Sequence, residues 1–432
     1  MTSIFHYARM ETILMQIKRD FYLNQLINKM GNGLTKVITG VHRCGKSYLL
    51  MTLFRNYLLD SGVPDRNIIC MSFDEDTNSR YRNPVILGEY LRSLATDATE
   101  KYYFLLDEVQ LIKNAANPDC PGDIIGFSQV LIGLSNRKNC DVYVTGSNSK
   151  FLSKDILTEF RGKNDQIHIY PLSFKEYMSV SHLSTDKAFA EYLVYGGLPG
   201  IVDLPAREKE QYLKSLFTET YSKDIVERYH VERPEVLENI MDFLSSSVSS
   251  LTNPNNITKG INIYTEPKAS VNTVSDYISH LEECFIISTA KRYDIKGKTY
   301  FDYPNKYYFT DTGLRNARLN FRQLDRGHLM ENAIYNELIR RGYSVDVGGV
   351  YDENRRQREI DFVVNLMDCR IYIQSAYQID DEESLVRETK SFKATKDSFR
   401  KICLRNDLLR NYYDDNGIYH LSVTDFLLGE EI

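Results

Sequence analysis

Tryptophan is missing from this chain, and several larger absences say more about its class. No apolar run approaches the ~20 residues that a membrane-spanning helix needs. The first residues, Met1 to Met10, lack the basic-then-apolar order of a secretory signal, so no membrane partner is expected. An excess of positive charge is also lacking. Lys and Arg number 53 against 59 Asp and Glu, a formal net charge of −6, which gives no global pull toward nucleic acid or an anionic membrane. Cysteine patterning is lacking too. The seven cysteines (Cys44, Cys70, Cys120, Cys140, Cys284, Cys369 and Cys403) are odd in number and never form C-x-x-C. A disulfide framework or a zinc site is therefore not expected, and a reducing, cytoplasmic setting is.

With 432 residues, 42% of them hydrophobic and 26% charged, the chain has the make-up of a soluble globular protein. It is too long for one ordinary core, so two or three domains are expected.

The most informative stretch is Gly40-Val41-His42-Arg43-Cys44-Gly45-Lys46-Ser47-Tyr48, which follows the apolar run Val37-Ile38-Thr39. It reads G-x-x-x-x-G-K-S between a strand and a helix. In such a loop, backbone N–H groups surround the phosphates of a nucleoside triphosphate. Lys46 reaches the β- and γ-phosphates and Ser47 holds Mg2+. The helix that starts here turns its positive end to the same phosphates. Cys44 is a small filler at a variable position or, less simply, a redox-sensitive thiol. Arg43 has a contact with phosphate, a contact with a later domain and a plain structural role open to it.

Five apolar strands are expected at Thr35–Thr39, Asn67–Phe73, Tyr102–Leu106, Asp141–Thr145 and Gln166–Tyr170, with helices between them near residues 45–60, 84–97, 123–138 and 149–160. This alternation is that of a parallel sheet covered on both faces. A further helix is expected within residues 1–30, with Phe21, Leu23, Leu26, Ile27 and Met30 on one face. The third strand ends in Asp107-Glu108. An acid at that position suits Mg2+ coordination beside a phosphate loop, with Asp107 on the metal and Glu108 orienting and partly deprotonating the attacking water. The fourth strand ends in Thr145-Gly146-Ser147-Asn148-Ser149. Ser147 or Asn148 is placed to sense the γ-phosphate, to cap the next helix, or both. Arg161 is either an arginine finger offered to a neighbouring subunit or one half of a surface ion pair.

Gly40–Ser47, Leu106–Gln110, Thr145–Ser149 and Arg161–Lys163, followed by Tyr170-Pro171-Leu172-Ser173-Phe174-Lys175-Glu176-Tyr177, resemble a family of prokaryotic AAA-type ATPases whose members carry a C-terminal domain of unknown function. The resemblance implies ATP and Mg2+ as ligands and a sheet order of 5-1-4-3-2. Tyr195-Gly196-Gly197-Leu198-Pro199 also resembles a segment of that family.

Residues 234–312 fit a winged helix, with helices at Val236–Ser249 and Val271–Ile286 around a short element at Ile257–Ile263, then strands and a turn at Lys296-Gly297-Lys298. Its third helix carries three acids and no Lys or Arg, which speaks for a structural or protein-contact role rather than a groove-reading one. Further on, Arg326–Arg340 with Glu331, a strand at Tyr343–Val347, a second with Asp361 and a third ending Gln374-Ser375-Ala376 resemble the PD-(D/E)XK nuclease fold. The catalytic pattern is broken. Gln374 stands where a second carboxylate is expected, and Ala376 stands where Lys is expected. Glu331 and Asp361 are then expected to bind Arg or Lys within the fold, with a weak metal site as the alternative. A basic run from Lys390 to Arg405 is a nucleic-acid surface or a solvated helix face.

The expected organisation is an AAA-type ATP-binding domain over residues 1–180, a helical connector over 181–233, a winged-helix-like domain over 234–315 and a degenerate restriction-endonuclease-like α/β domain over 316–432. The expected function is ATP hydrolysis that drives a conformational switch or remodels an unknown protein partner, with homo-oligomers formed if Arg161 acts in trans. ATP-gated nucleic-acid binding without nuclease activity, and a structural nucleotide binder that does not hydrolyse, are the alternatives.

Overall fold

The computed structural model of the chain describes residues 17–146, 164–218, 223–367, 369–379 and 381–432. They form two compact units, one running to Tyr170 with Glu283–Phe285 added, the other holding Pro171–Glu282 and Ile286–Ile432. The expected helix at 149–160 and the sites at Ser147, Asn148 and Arg161 lie outside the described residues.

In the first unit, strands β1 (Thr35–Thr39), β2 (Ile68–Ser72), β3 (Tyr102–Asp107), β6 (Cys140–Thr145) and β7 (Asn164–His168) form one sheet in the order β2-β3-β6-β1-β7. All its pairings are parallel. Every residue of β1, β3 and β6 is buried, whereas the edge strands β2 and β7 carry partly buried positions and one exposed residue each. The hydrophobicity of Tyr103-Phe104-Leu105-Leu106 is thus that of a strand buried on both faces. Helices α1 (Asp20–Asn28), α2 (Lys46–Tyr48, Leu49–Phe54 and Arg55–Asp60 in succession), α3 (Pro84–Leu94) and α4 (Phe127–Ser135) accompany the sheet. Leu87 and Leu91 of α3 and Val130, Leu131 and Leu134 of α4 share a core with Phe104, Leu106, Val142 and Val144. The middle segment of α2 is π-helical. A short hairpin, β4 (Ala115–Ala116) with β5 (Ile124–Ile125), precedes α4. On α1 the buried residues are Tyr22 and Leu26, while Phe21, expected on the apolar face, is 42% exposed.

The second unit opens with α5 (Phe174–Val180), α6 (Thr185–Tyr195), α7 (Ala206–Ser215) and α8 (Lys223–Tyr229). Ser173 and Glu176 close a reciprocal capping box on α5, which gives the Ser-Phe-Lys-Glu run a local structural purpose. Three helices follow, α9 (Pro234–Ser246), α10 (Pro254–Ile261) and α11 (Val271–Glu283), then an antiparallel hairpin of β8 (Ile287–Asp294) and β9 (Thr299–Phe309). After α12 (Thr312–Arg318), the chain runs α13 (Arg326–Arg340), β10 (Ser344–Tyr351), β11 (Gln357–Leu366), β12 (Cys369–Ala376), α14 (Glu382–Thr395) and β13 (Arg400–Arg405). It ends with β14 (Tyr412–Tyr413), β15 (Tyr419–Ser422) and α15 (Val423–Leu428). These strands make one eight-stranded sheet, β14-β15-β13-β12-β11-β10-β8-β9. Because β8 pairs with β10, the sheet includes the hairpin that precedes residue 315.

The Tyr-Gly-Gly-Leu-Pro bend has a packing explanation inside this unit. Asp311 caps α12 through Leu314 N–H at 3.0 Å and also accepts from Gly197 N–H at 2.7 Å. A Cβ on Gly196, whose φ is +76°, would lie 2.1 Å from Asp311 Oδ1, so only glycine fits. Burial pushes Asp311 up to about 6, and the backbone donors hold it down against that rise.

Candidate functional site

Strand register brings the polar residues of the first unit into one row. Ser72 lies opposite Asp107, Ile38 opposite Thr145, and Thr39 opposite His168. All sit at the carboxyl ends of parallel strands, where open α/β sheets bind their ligands.

The phosphate loop springs from the end of β1. Gly40 has φ +148°, and a Cβ there would stand 2.2 Å from the Ile169 carbonyl oxygen, so the chain can leave the sheet this way only with glycine. Gly45, at φ +99°, turns the chain into α2. Lys46 is 3% exposed, and its Nζ donates to the carbonyls of Gly40 and Val41, at 3.0 Å each. The ammonium is therefore held across the loop. Cys44 is fully buried, which suits a small filler. His42 is partly exposed, and Arg43 is exposed with a left-handed backbone at φ +61°.

Asp107 is 3% exposed at the end of β3. Thr145 donates its hydroxyl to Asp107 Oδ1. The Ser72 hydroxyl lies 3.2 Å from Oδ2, and its shorter contact, 2.6 Å, is with Asp74. Burial pushes the carboxyl up; the bond from Thr145 opposes this, the neighbouring charge of Glu108 adds to it, and the hydroxyls of Ser47 and Ser72 also oppose it. Ser47 is near enough to lower the Asp107 carboxyl, though the bonds that hold that carboxyl come from Thr145 and Ser72. A buried carboxylate supported by hydroxyls gains from a cation, and one carboxylate plus one hydroxyl suits Mg2+, which keeps waters and takes phosphate oxygens. Among the described residues, no group of three or more His, Cys, Asp or Glu is arranged to hold a metal alone.

Glu108 adopts the left-handed conformation, φ +54° and ψ +45°, uncommon for a residue with a Cβ. Its N–H donates to Thr145 Oγ1 at 3.1 Å, and its carboxylate accepts from the Gln110 side-chain amide. Thr145 therefore links both acids. Sequence reasoning passed over it for Ser147 and Asn148, although a polar residue closing an apolar strand was the available signal.

His168 was also missed. Its Nδ1 lies 3.0 Å from Thr39 Oγ1, and its ring meets Tyr170 edge-on, centroids 4.5 Å apart. Burial first, then the charge of Lys46, pushes His168 down to about 3 from 6.5. A base whose folded pKa is depressed gives stability that is present above the unfolded value and lost as pH falls. The first unit is accordingly expected to lose stability between about pH 6.5 and 3, with a shallower decline in His168→Asn. Denaturant melts across this range check it, and equal slopes would remove His168 from the cause.

In the second unit, Glu331 on α13 and Asp361 on β11 do converge, on a residue that the sequence reading did not single out. Lys306 on β9 lies 2.8 Å from Glu331, 2.7 Å from Glu359 and 3.6 Å from Asp361. Tyr308 adds a hydroxyl bond to Glu331 at 2.7 Å, and Ser375 N–H donates to Asp361 at 2.8 Å. Burial alone would depress Lys306, but the three carboxylates outweigh it and hold its pKa above the usual lysine value. Burial pushes Asp361 up to about 8, with Lys306 pulling the other way. Gln374 is buried and accepts from Ser391 at 3.4 Å. The signal for Lys306 was a lone charge beside Tyr307-Tyr308-Phe309. Half of the basic run, three of six residues, is ion-paired. Lys396 pairs with Glu353, Lys401 with Asp397 and Arg405 with Asp407.

Residues 32–178 match an AAA domain, 186–325 a domain of unknown function (DUF8612) and 326–426 a second one (DUF4143). An uncharacterized protein of Haemophilus influenzae is 33% identical over 420 residues, covering 95% of this chain and 98% of that protein. The chain belongs to this AAA-domain family. An uncharacterized protein of the archaeon Methanocaldococcus jannaschii is 28% identical over 432 residues, 95% of this chain and 88% of its own length. Among solved structures, Cdc6p of Pyrobaculum aerophilum aligns over 73% of this chain and 95% of its own, at 16% identity and a TM-score of 0.31. Likeness that remote says nothing about this family member's partners. No helix among the described residues is long and apolar enough to cross a membrane.

Proposed function

We propose that the chain is an ATP-hydrolysing switch whose nucleotide state acts on a protein partner recognised by the second unit. Lys46 buried across the loop, and Asp107 and Glu108 both tied to Thr145 at the end of the neighbouring strand, carry this reading. Lys46 would bind the β- and γ-phosphates, and the loop N–H groups would orient them. Mg2+, held by Ser47 and Asp107, would neutralise charge on the phosphate oxygens. Glu108 would take a proton from the attacking water, while Thr145 keeps its backbone in place.

The second unit supports a binding role rather than cleavage. Its α13-β10-β11-β12-α14-β13 order, with antiparallel β10–β11 and β11–β12 pairs and a parallel β12–β13 pair, fits a nuclease-like core. Lys306 sits among the acids that such a core would use for metal. ATP-gated nucleic-acid binding has the three helices and hairpin before residue 310 in its favour, but the acidic α11 and the pairing of three of the six basic residues in the run oppose it.

Phosphate release from ATP tests the reading. It should require Mg2+ and stop with excess chelator. A purified protein that binds ATP without turnover would leave the structural-binder alternative standing. Fluorescence anisotropy with DNA and RNA across a salt series should show no binding even at low salt, with or without ATP; salt-sensitive binding would favour the nucleic-acid reading.

A further inference from the structure

Arg19 precedes α1 and lies far from the phosphate loop in sequence, yet it is 3% exposed. Its Nη1 donates to the Cys44 carbonyl at 3.0 Å, and its Nη2 donates to the Tyr170 carbonyl at 2.7 Å. The guanidinium lies 4.7 Å from the centroid of the Tyr22 ring. Tyr22 is itself anchored, since its hydroxyl accepts from Tyr170 N–H at 3.2 Å. One rigid fork, with one bond from each terminal nitrogen, thus joins the phosphate loop to Tyr170, just beyond the end of β7.

The Cys44 carbonyl shares a peptide plane with the Gly45 N–H. In a trans peptide these two groups point in opposite directions. Holding the carbonyl therefore aims the N–H. Gly45 has the left-handed φ of +99°, a conformation glycine adopts and leaves easily, so this plane needs an external hold. A charged planar donor is well suited, because its rigid fork can hold two acceptors at fixed directions where an ammonium acts as a point charge.

We propose that Arg19 is a positioning residue of the nucleotide site: by fixing the Cys44–Gly45 peptide it aims a loop N–H at the phosphates, and through Tyr170 it ties the loop to the strand end where the chain leaves the sheet. The proposal rests on the ATP reading of the loop but adds a residue outside the loop motif. It places part of the phosphate site in the segment before α1, and it assigns the buried charge of Arg19 a task beyond packing.

The test is calorimetric titration of Mg-ATP into the full-length wild type, Arg19→Lys and Arg19→Ala, with steady-state kinetics and amide exchange on the same proteins. Arg19→Lys keeps the charge but cannot serve both carbonyls as a fork, so its Kd for ATP should weaken about tenfold. Its KM should rise in step, while kcat at saturating ATP stays within a factor of about three, because the reacting groups are untouched. Arg19→Ala should weaken binding further; should it fail to fold, Arg19→Lys alone decides. Exchange at residues 41–46 without nucleotide should quicken in Arg19→Lys, with residues 102–107 unchanged. A variant that melts earlier but binds ATP with wild-type Kd would show Arg19 to be packing only and overturn the proposal. If the wild type binds no ATP, the nucleotide reading fails, and the exchange rates still decide whether Arg19 holds the loop: faster exchange supports it and unchanged exchange overturns it.

Discussion

Replacing Glu108 with glutamine slows ATP turnover by about a hundredfold or more, in the range expected for losing a general base, and leaves ATP affinity close to that of the wild type. The change is nearly isosteric. It keeps the left-handed backbone and the N–H bond to Thr145, since neither depends on the carboxylate. What it removes is the ability to accept a proton. A non-glycine residue at φ +54° is held there by its surroundings, and here Thr145 supplies the hold at 3.1 Å. Single-turnover phosphate release, with affinity measured on the same preparation, separates chemistry from binding. Turnover equal to wild type would remove Glu108 from the reaction. A parallel fall in affinity would place Glu108 in the binding of ATP instead.

Lys306→Ala destabilises the second unit by about 3–5 kcal/mol, the usual cost of stranding buried partners of an ion pair. Glu331 would be left with the Tyr308 hydroxyl but without a cation, whereas Asp361 keeps its proton below about pH 8 and strands no charge there. Adding Glu331→Gln to the same chain should restore much of the loss, because a neutral amide needs no counter-charge. Urea melts of the three proteins check this, and a Lys306→Ala protein as stable as wild type would show the cluster to be energetically idle. The pH dependence has a definite sign. Asp361 is raised to about 8 in the folded chain from 3.8. The folded state then holds a proton that the unfolded state has released, so its contribution is full below about pH 4 and disappears as pH rises through about 8.

The sheet of the first unit was readable because each strand is a local signal. Tyr103-Phe104-Leu105-Leu106 and Val142-Tyr143-Val144 are apolar on both faces, and their burial on both faces is what the structure shows. Gly40, Lys46, Ser47 and Asp107 were readable for a similar reason. Gly40 and Asp107 stand where a strand ends, and Lys46 and Ser47 open the helix that follows the loop, positions at which residue type and place are tightly linked. Arg19 and Lys306 were not readable. Arg19 acts on Cys44 and Tyr170, and Lys306 acts on Glu331, Glu359 and Asp361, all distant along the chain. Such pairings are created only by the fold. The hairpin of β8 and β9 could be read from its alternating residues and the turn at Lys296-Gly297-Lys298, but not its membership of the later sheet, which depends on β8 finding β10. The basic run showed the opposite limit. Its charges are plain in the sequence, while the acids that neutralise three of them, Glu353, Asp397 and Asp407, emerge only in the folded chain.

ATP titrated into wild type and Lys46→Ala in the presence of Mg2+ is the most direct measurement of the nucleotide site. Saturable binding by the wild type and affinity at least about a hundredfold weaker in Lys46→Ala is the expected result, because the variant loses charge-assisted bonds to the phosphates. Equal affinity in the two proteins would contradict a phosphate site built around Lys46.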